Sequence, residues 1–182
     1  AEQGKRVTVQ TLNLAKAGNG TAALSGNVTL NTAGIGRNIS SAAAAAAESL
    51  SKDLFFGQNK LLVFGMDVAV NDLATCFDYL MRSENSRPDV PVCISSGTAA
   101  QLLDCGQNDA LVPAQAVAEL LKNGQNSGFS LYVSVNEMLN LYKDKTSDIC
   151  LPVITVSDES SRTSGIAIFS ESRLAGVLSG DE

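Results

Sequence analysis

The chain has no histidine and no tryptophan among its 182 residues. The absence of histidine excludes Ser-His-Asp and Cys-His catalysis, a histidine-ligated zinc site and an imidazole general base. The carboxylates give no replacement, because Asp67, Asp72 and Asp78 are predicted at a loop, a helix cap and a helix surface. No two of them are placed to raise one another's pKa for acid–base work. We therefore expect a protein that is not an enzyme and that carries no metal and no cofactor.

Cysteine is scarce and scattered. The four cysteines, Cys76, Cys93, Cys105 and Cys150, form no C-x-x-C pair, so neither a zinc motif nor a dithiol redox motif is predicted. Cys76 falls on the apolar face of a predicted helix and Cys93 lies in an apolar run, which favours a role as small buried hydrophobes. A disulfide would suit an extracytoplasmic protein, but the sequence does not choose its partners.

Basic runs and long apolar runs are also missing. The net charge is −6, from 13 basic and 19 acidic side chains, which argues against binding to nucleic acid or to anionic lipid. No apolar stretch reaches the ~20 residues that span a bilayer. Hydrophobic residues make up 45% of the chain and predict a packed core. We expect one α/β domain over residues 1–182, the N-terminal domain of a larger lipoprotein trimmed at both ends.

Two short apolar runs, residues 60–65 and 90–94, organise the middle of the chain. Such runs predict strands that are buried on both faces of a sheet. Between them, a helix that Asn71 or Asp72 can cap has an apolar face at three- and four-residue spacing, made by Leu73, Cys76, Phe77 and Leu80. A strand, a helix and a strand in this order predict a crossover between parallel strands.

The two ends of the chain have strand patterns. Residues 5–14 and 25–32 alternate around a turn at 17–21 and predict an antiparallel pair, whereas residues 151–156, 164–169 and 173–178 predict a three-strand meander. We predict an α/β fold with one mixed β-sheet flanked by helices. That sheet would contain the N-terminal antiparallel strand pair, the central strand-helix-strand crossover and the C-terminal β-meander.

Further helices and loops are predicted from composition and punctuation. Residues 38–52 form an alanine-rich helix that is expected to pack flat on the central strands. Gly34 and Gly36 precede it and are interpreted as turning the chain. A nucleotide loop would need a third glycine or a Gly-Lys-Ser/Thr sequence, and neither follows. The remaining predictions are helices at 98–105, 113–123 and 135–143, a short strand at 129–133, and polar loops at 123–128 and 159–164.

Several segments follow one another in a recognisable order. In the middle of the chain they are Phe56-Gly57-Gln58-Asn59-Lys60, Arg82-Ser83-Glu84-Asn85-Ser86-Arg87 and Gly97-Thr98-Ala99-Ala100-Gln101-Leu102-Leu103. Near the end they are Leu151-Pro-Val-Ile154 and Gly165-Ile-Ala-Ile-Phe169 … Leu174-Ala-Gly-Val-Leu178. Over roughly residues 7–178, this order and spacing resemble the N-terminal region of the Ger(x)C family, the lipoprotein subunits of spore germinant receptors.

The resemblance implies a non-catalytic, extracytoplasmic subunit of a nutrient-germinant receptor in the spore inner membrane. The family works with two integral membrane subunits, which would be the partners. It is held to the membrane by a lipid on a cysteine that would lie upstream of Ala1. These are expectations carried over from the family.

Two alternatives stay open. One is a small-molecule binding domain of the cell envelope. The other is a serine acyl-enzyme, because Ser49-Leu-Ser-Lys52 fits the Ser-x-x-Lys motif of penicillin-binding enzymes, and Ser134-Val-Asn136 and Lys145-Thr-Ser147 follow in the right order. The third motif has serine in place of its glycine, which weighs against this alternative.

The candidate functional residues are Arg82, Glu84 and Arg87, after the central helix. The favoured interpretation is a local cluster, in which Arg82 complements the helix C-terminus and Arg87 pairs with Glu84. The second interpretation is a contact with a partner protein, since arginine is enriched at interface cores and binds carboxylates with two hydrogen bonds.

Overall fold

A computed structural model describes residues 4–13, 28–50, 58–83, 87–105, 111–128, 130–144, 146–157 and 160–179. The predicted α/β class is confirmed. The strands are β1 (Lys5–Leu12), β2 (Thr29–Gly36), β3 (Leu62–Gly65), β4 (Val92–Ser95), β5 (Ile149–Ser157), β6 (Ser160–Ser170) and β7 (Arg173–Ser179). The helices are α1 (Ile39–Glu48), α2 (Met66–Asn71), α3 (Leu73–Arg82), α4 (Ala99–Asp104), α5 (Pro113–Ser127) and α6 (Val135–Lys143).

The larger sheet has the strand order β3-β4-β5-β6-β7. Strands β3, β4 and β5 are parallel neighbours, and β5, β6 and β7 are antiparallel neighbours. The predicted parallel crossover and the predicted meander are therefore both present. The crossover contains two helices instead of one, because α2 ends at Asn71 and α3 begins at Leu73.

Helices cover both faces of the larger sheet. Successive residues of β4 alternate between the two faces, so Val92 and Ile94 join one core and Cys93 joins the other. The first core is closed by α2, α3 and α6 and includes Phe77, Met138 and Phe169. The second core is closed by α4 and α5. This two-sided burial explains why the central strands have continuous apolar sequences.

The N-terminal strands form a separate sheet, which corrects the prediction of one continuous sheet. Strands β1 and β2 are an antiparallel pair with Lys5 opposite Gly36 and Leu12 opposite Thr29. The turn predicted at residues 17–21 lies outside the described residues. The alanine-rich helix α1 packs on this small sheet and not on the central strands.

Gly34 and Gly36 lie within β2 and do not turn the chain. A Cβ atom added at Gly34 would overlap backbone atoms of Ala42 and Ala46, and one added at Gly36 would overlap Ser41 and Ala42. The two glycines therefore admit α1 to direct backbone contact with the strand.

Side-chain hydrogen bonds attach the small sheet to the rest of the fold. Gln10 Nε2 donates to the Leu103 carbonyl at 2.6 Å, near the end of α4, and Gln10 Oε1 accepts from Ala114 N at 3.0 Å, in the first turn of α5. Val112, the N-cap residue of α5, has no capping side chain, so Gln10 supplies that acceptor from another element. A second attachment is the ion pair between Lys5 of β1 and Asp72, the N-cap residue of α3.

The Lys5–Asp72 ion pair makes stability depend on pH. Burial raises the pKa of Asp72, but hydrogen bonds from Lys5 and Thr75 lower it by more, so the pKa lies below its ordinary value of 3.8. A carboxylate with a lowered folded-state pKa stabilises the fold above its unfolded-state pKa and loses that contribution as pH falls through the folded-state pKa. We expect Asp72→Asn to lower the free energy of unfolding by about 1 kcal/mol at pH 7. The deficit should shrink below pH 3.8, as measured by urea unfolding across pH. A deficit of the same size at all pH values would contradict the assignment.

Three local predictions are corrected. Helix α5 continues through Gly124 to Ser127 and ends at Gly128, whose φ of 75° is left-handed, so residues 123–127 are helical and not a loop. The described residues 130–133 are not a strand. Strand β6 begins at Ser160, so residues 160–164 are not a loop, and a tight turn at Glu171 and Ser172 joins β6 to β7.

The buried cysteines are as predicted. Cys76 and Cys93 are buried in the first and second core respectively, and Cys150 is half-buried. Burial, and to a smaller extent the Asp72 carboxylate, raises the pKa of the Cys76 thiol to about 12. Burial alone raises the pKa of Cys93. Both side chains are neutral thiols, which suits packing and not nucleophilic chemistry.

Candidate partner-binding surface

The serines of the acyl-enzyme alternative are engaged at helix ends. Ser49 Oγ donates to the Ala45 carbonyl at 3.2 Å, and Ser134 Oγ accepts from Glu137 N at 3.2 Å as the N-cap of α6. Lys52 and Lys145 lie outside the described residues. The hydroxyl groups of Ser49 and Ser134 thus each make a hydrogen bond to the backbone of their own helix.

Neither a metal site nor a membrane span is found within the part of the chain that the structure describes. No three His, Cys, Asp or Glu side chains there are grouped to hold a metal ion. No helix there has both the length and the apolar composition to cross a bilayer.

The two predicted arginines bind different aspartates. Arg82, in the last turn of α3, pairs with Asp78 one turn earlier at 2.7 Å. Arg87 makes two hydrogen bonds to Asp89, from Nε at 3.0 Å and from Nη2 at 2.6 Å. Glu84 lies outside the described residues. The structure therefore gives Arg87 a carboxylate partner that the sequence interpretation did not name.

Arg87 lines a surface depression of about 270 Å³, and Arg82 does not. We call this depression the basic depression. Its basic side chains are Lys60, Arg87 and Lys122, and its acidic side chains are Asp89 and Glu119. The described lining thus carries a net positive charge, although the whole chain carries −6. The arginine cluster of the sequence is therefore divided, and only Arg87 belongs to a larger constellation.

Backbone pairing brings three distant parts of the chain to this depression. Leu62 N donates to the Pro91 carbonyl at 2.9 Å, and Val92 N donates to the Val133 carbonyl at 2.9 Å. The segment before β4 therefore lies between the entry to β3 and the segment that leads into α6. This arrangement places Lys60, Asp89 and Tyr132 side by side at the N-terminal ends of the parallel strands.

Helix α5 forms the other wall. Its residues in the lining lie at spacings of three and four, Gln115, Ala118, Glu119 and Lys122, which is one face of a helix. Val117 and Leu121 point instead into the second core and fix the rotation of the helix. Gln115 Nε2 donates to Glu119 Oε1 at 3.0 Å, which holds the Glu119 carboxylate along the helix.

The acidic side chains of the depression have hydrogen-bond partners within the chain. Two of its cations, Lys60 and Lys122, have no carboxylate partner among the described residues. The Arg87 hydrogen bonds lower the pKa of Asp89, with a smaller contribution from Lys60, and the same hydrogen bonds raise the pKa of Arg87. No ion pair holds Lys60 or Lys122 to a carboxylate of the described residues. Two exposed ammonium groups beside the half-buried Tyr132 can therefore form ion pairs with carboxylates of another molecule.

Residues 1–156 match the family model described as "Spore germination protein N-terminal domain". The chain belongs to that family. The expected membership in the Ger(x)C family of germinant receptor C subunits is thereby confirmed. No curated protein matches this spore germination domain in sequence.

A solved structure, "Crystal Structure of the GerBC protein", is similar to this spore germination domain with a TM-score of 0.51 and 14% sequence identity. The match covers 100% of this chain and 51% of that chain. Because only 14% of the residues are identical, this similarity supports the fold alone. The spore germination domain therefore spans about half the length of that protein.

Sequence analysis of the spore germination domain missed Lys122, Glu119 and Tyr132 as site residues, and named Lys60 only within a family segment. The available signal was the polar stripe on the helix at 113–123, which repeats at three and four residues. Nothing local in the sequence places that stripe beside Arg87. The two segments meet only through the packing of α5 on the sheet.

Proposed function

We propose that this chain is part of a non-catalytic, extracytoplasmic subunit of a spore nutrient-germinant receptor. It would be the N-terminal domain of a larger lipoprotein that a lipid anchors to the spore inner membrane. The subunit acts by assembling with the integral membrane subunits of the receptor. Its activity is a binding equilibrium between proteins and involves no bond-making chemistry.

One observation carries this proposal: the family match extends over residues 1–156, which is most of the chain. The buried thiols of Cys76 and Cys93 support a non-catalytic role, because burial raises their pKa values and keeps them neutral. The basic depression supports an assembly role, because its exposed Lys60 and Lys122 form no ion pair with the described carboxylates.

Co-purification from spore inner membranes tests this proposal. The full-length lipoprotein, tagged at its C-terminus, should recover both integral membrane subunits of its receptor after mild detergent extraction. The matched control is the same tagged protein from cells that lack those two subunits, where the lipoprotein alone should be recovered. Recovery of the wild-type lipoprotein without either membrane subunit, from membranes that contain both, would overturn the assembly role.

A further inference from the structure

We propose that the basic depression is the docking site for an acidic segment of a partner protein in the receptor assembly. This inference rests on the proposed function and assigns the surface and the chemistry of the contact. Lys60 and Lys122 would bind carboxylates of the partner. Tyr132 and Gln115 would contact the partner's backbone and apolar groups.

The first argument for this docking site is charge complementarity. The depression is lined by three of the chain's 13 basic side chains and by only two of its 19 acidic ones. Both of those acids already interact within the chain, Asp89 with Arg87 and Glu119 with Gln115. Among the described residues, no ion pair holds the Lys60 or the Lys122 ammonium group. A ligand that matches them is an anion with at least two separated negative groups.

The second argument is that the depression is preformed and rigid. Buried residues Val90 and Pro91 form part of its lining, and the ladder that includes the Leu62–Pro91 and Val92–Val133 hydrogen bonds fixes them. Ala118, with a small side chain on α5, leaves room above the helix between Gln115 and Lys122. A preformed depression on ordered elements loses little conformational entropy when a partner binds.

The mixture of charges favours a polypeptide over a lipid surface. Asp89 and Glu119 line the depression together with the cations, and a sheet of lipid phosphates would meet those two carboxylates as well. The net charge of −6 would also oppose approach to an anionic bilayer. A protein segment can instead place acidic side chains at the lysines and hydrogen-bond donors at the carboxylates.

The test uses the full-length lipoprotein in spores, with the photoreactive residue p-benzoylphenylalanine in place of Asn59 in the lining of the depression. Crosslinked peptides are identified by mass spectrometry. The test variant is Lys60→Glu with Lys122→Glu, and neither change breaks an ion pair of the described residues. The control is Arg37→Glu with Arg162→Glu, two exposed arginines outside the depression that give the same change in net charge.

We expect the crosslink to fall in a segment of a receptor protein that is rich in Asp and Glu. Its yield should drop about tenfold or more in the Lys60/Lys122 variant, because reversed charges would face the partner's acids, and should be unchanged in the control. Changing two acidic residues of that segment to lysine should restore the yield in the Lys60/Lys122 variant. The melting temperatures of both double variants are measured beforehand and must equal that of the wild type. If the Lys60/Lys122 variant melts at a lower temperature, the single variants Lys60→Gln and Lys122→Gln replace it.

Three results of the crosslinking experiment would overturn the assignment. The crosslink could lie in a segment without acidic residues, the charge reversal could leave its yield unchanged, or the adduct could be a lipid. Flotation with phosphatidylglycerol vesicles, against phosphatidylcholine vesicles, adds a direct comparison, and binding that depends on Lys60 and Lys122 would make a membrane the occupant. Undiminished co-purification of the charge-reversed lipoprotein with its membrane subunits would reject the depression while leaving the proposed function intact.

Discussion

Replacing Phe77 by alanine should lower the free energy of unfolding by about 3–5 kcal/mol, the range for removing a fully buried phenylalanine. Phe77 has no exposed surface and belongs to the first core. Its ring packs edge-on against Phe64 of β3, with centroids 6.3 Å apart, and against Tyr142 of α6, with centroids 4.8 Å apart. The side chain therefore joins three elements, and its loss would leave a cavity where α3, β3 and α6 meet.

Met81 on the same helix is the matched control, because its side chain is 38% exposed. Met81→Ala should cost less than about 1 kcal/mol, since a partly exposed surface side chain loses little burial on truncation. Urea unfolding followed by circular dichroism gives both values. Equal losses in the two variants would mean that the helix presents a different face to the sheet than the structure shows.

Sequence periodicity was sufficient to predict the central helix and its buried face. Leu73, Cys76 and Phe77 recur at helical spacing and are all buried, as predicted. The same information could not orient α1, whose alanines offer no contrast between one face and another. Its position depends on Gly34 and Gly36, which lie on one face of a strand and remove the side chains that would hold the helix away.

Local turn signals failed where a tertiary contact outweighed them. Asn123-Gly124 has the composition of a helix end, yet α5 continues to Ser127. A Cβ atom at Gly124 would lie 2.7 Å from Ser130 Cβ, so this glycine serves the close approach of the following chain and not a turn. The true end is Gly128, with its left-handed backbone.

The family segments correspond in part to features that stabilise the fold. Thr98 and Gln101, in the segment that begins at Gly97, form a reciprocal capping box at the start of α4. Pro152 has no N–H group, and the pairing of β5 with β4 begins only at the next residue, Val153. Gly165 lies so close to the Leu178 carbonyl that any side chain there would separate β6 from β7. Sequence resemblance therefore identified residues of the fold more directly than residues of the candidate site.

The residues of the basic depression could not be grouped from the sequence alone. Lys60, Asp89 and Lys122 are far apart in sequence, and strand pairing together with the rotation of α5 brings them together. Arg82 and Arg87 were named together as candidates for a partner contact on their chemistry, but Arg82 pairs with Asp78 outside the depression and only Arg87 lines it. Residue type predicts what a side chain can bind, but long-range packing decides which side chains act together.

Gly34→Ala should destabilise the protein by about 2–3 kcal/mol, although it adds only a methyl group. The new Cβ would overlap backbone atoms of Ala42 and Ala46 in α1, and a backbone cannot move aside as a side chain can. Helix α1 would have to shift away from β2, which would weaken the contacts of Ala42, Ala43 and Ala46, all buried at present. Amide hydrogen exchange should rise most in β1, β2 and α1, because these elements form the separate sheet and helix that the new methyl group disturbs.

Gly176→Ala is the control for that experiment, since a Cβ atom at Gly176 would meet no atom within 4 Å and its backbone is not left-handed. This variant should unfold at the same urea concentration as the wild type. If Gly34→Ala were equally stable and exchanged amides at the wild-type rate, the direct contact between α1 and β2 would be wrong. Gly34 and Gly176 differ in packing alone, because both lie within strands and neither has a positive φ angle.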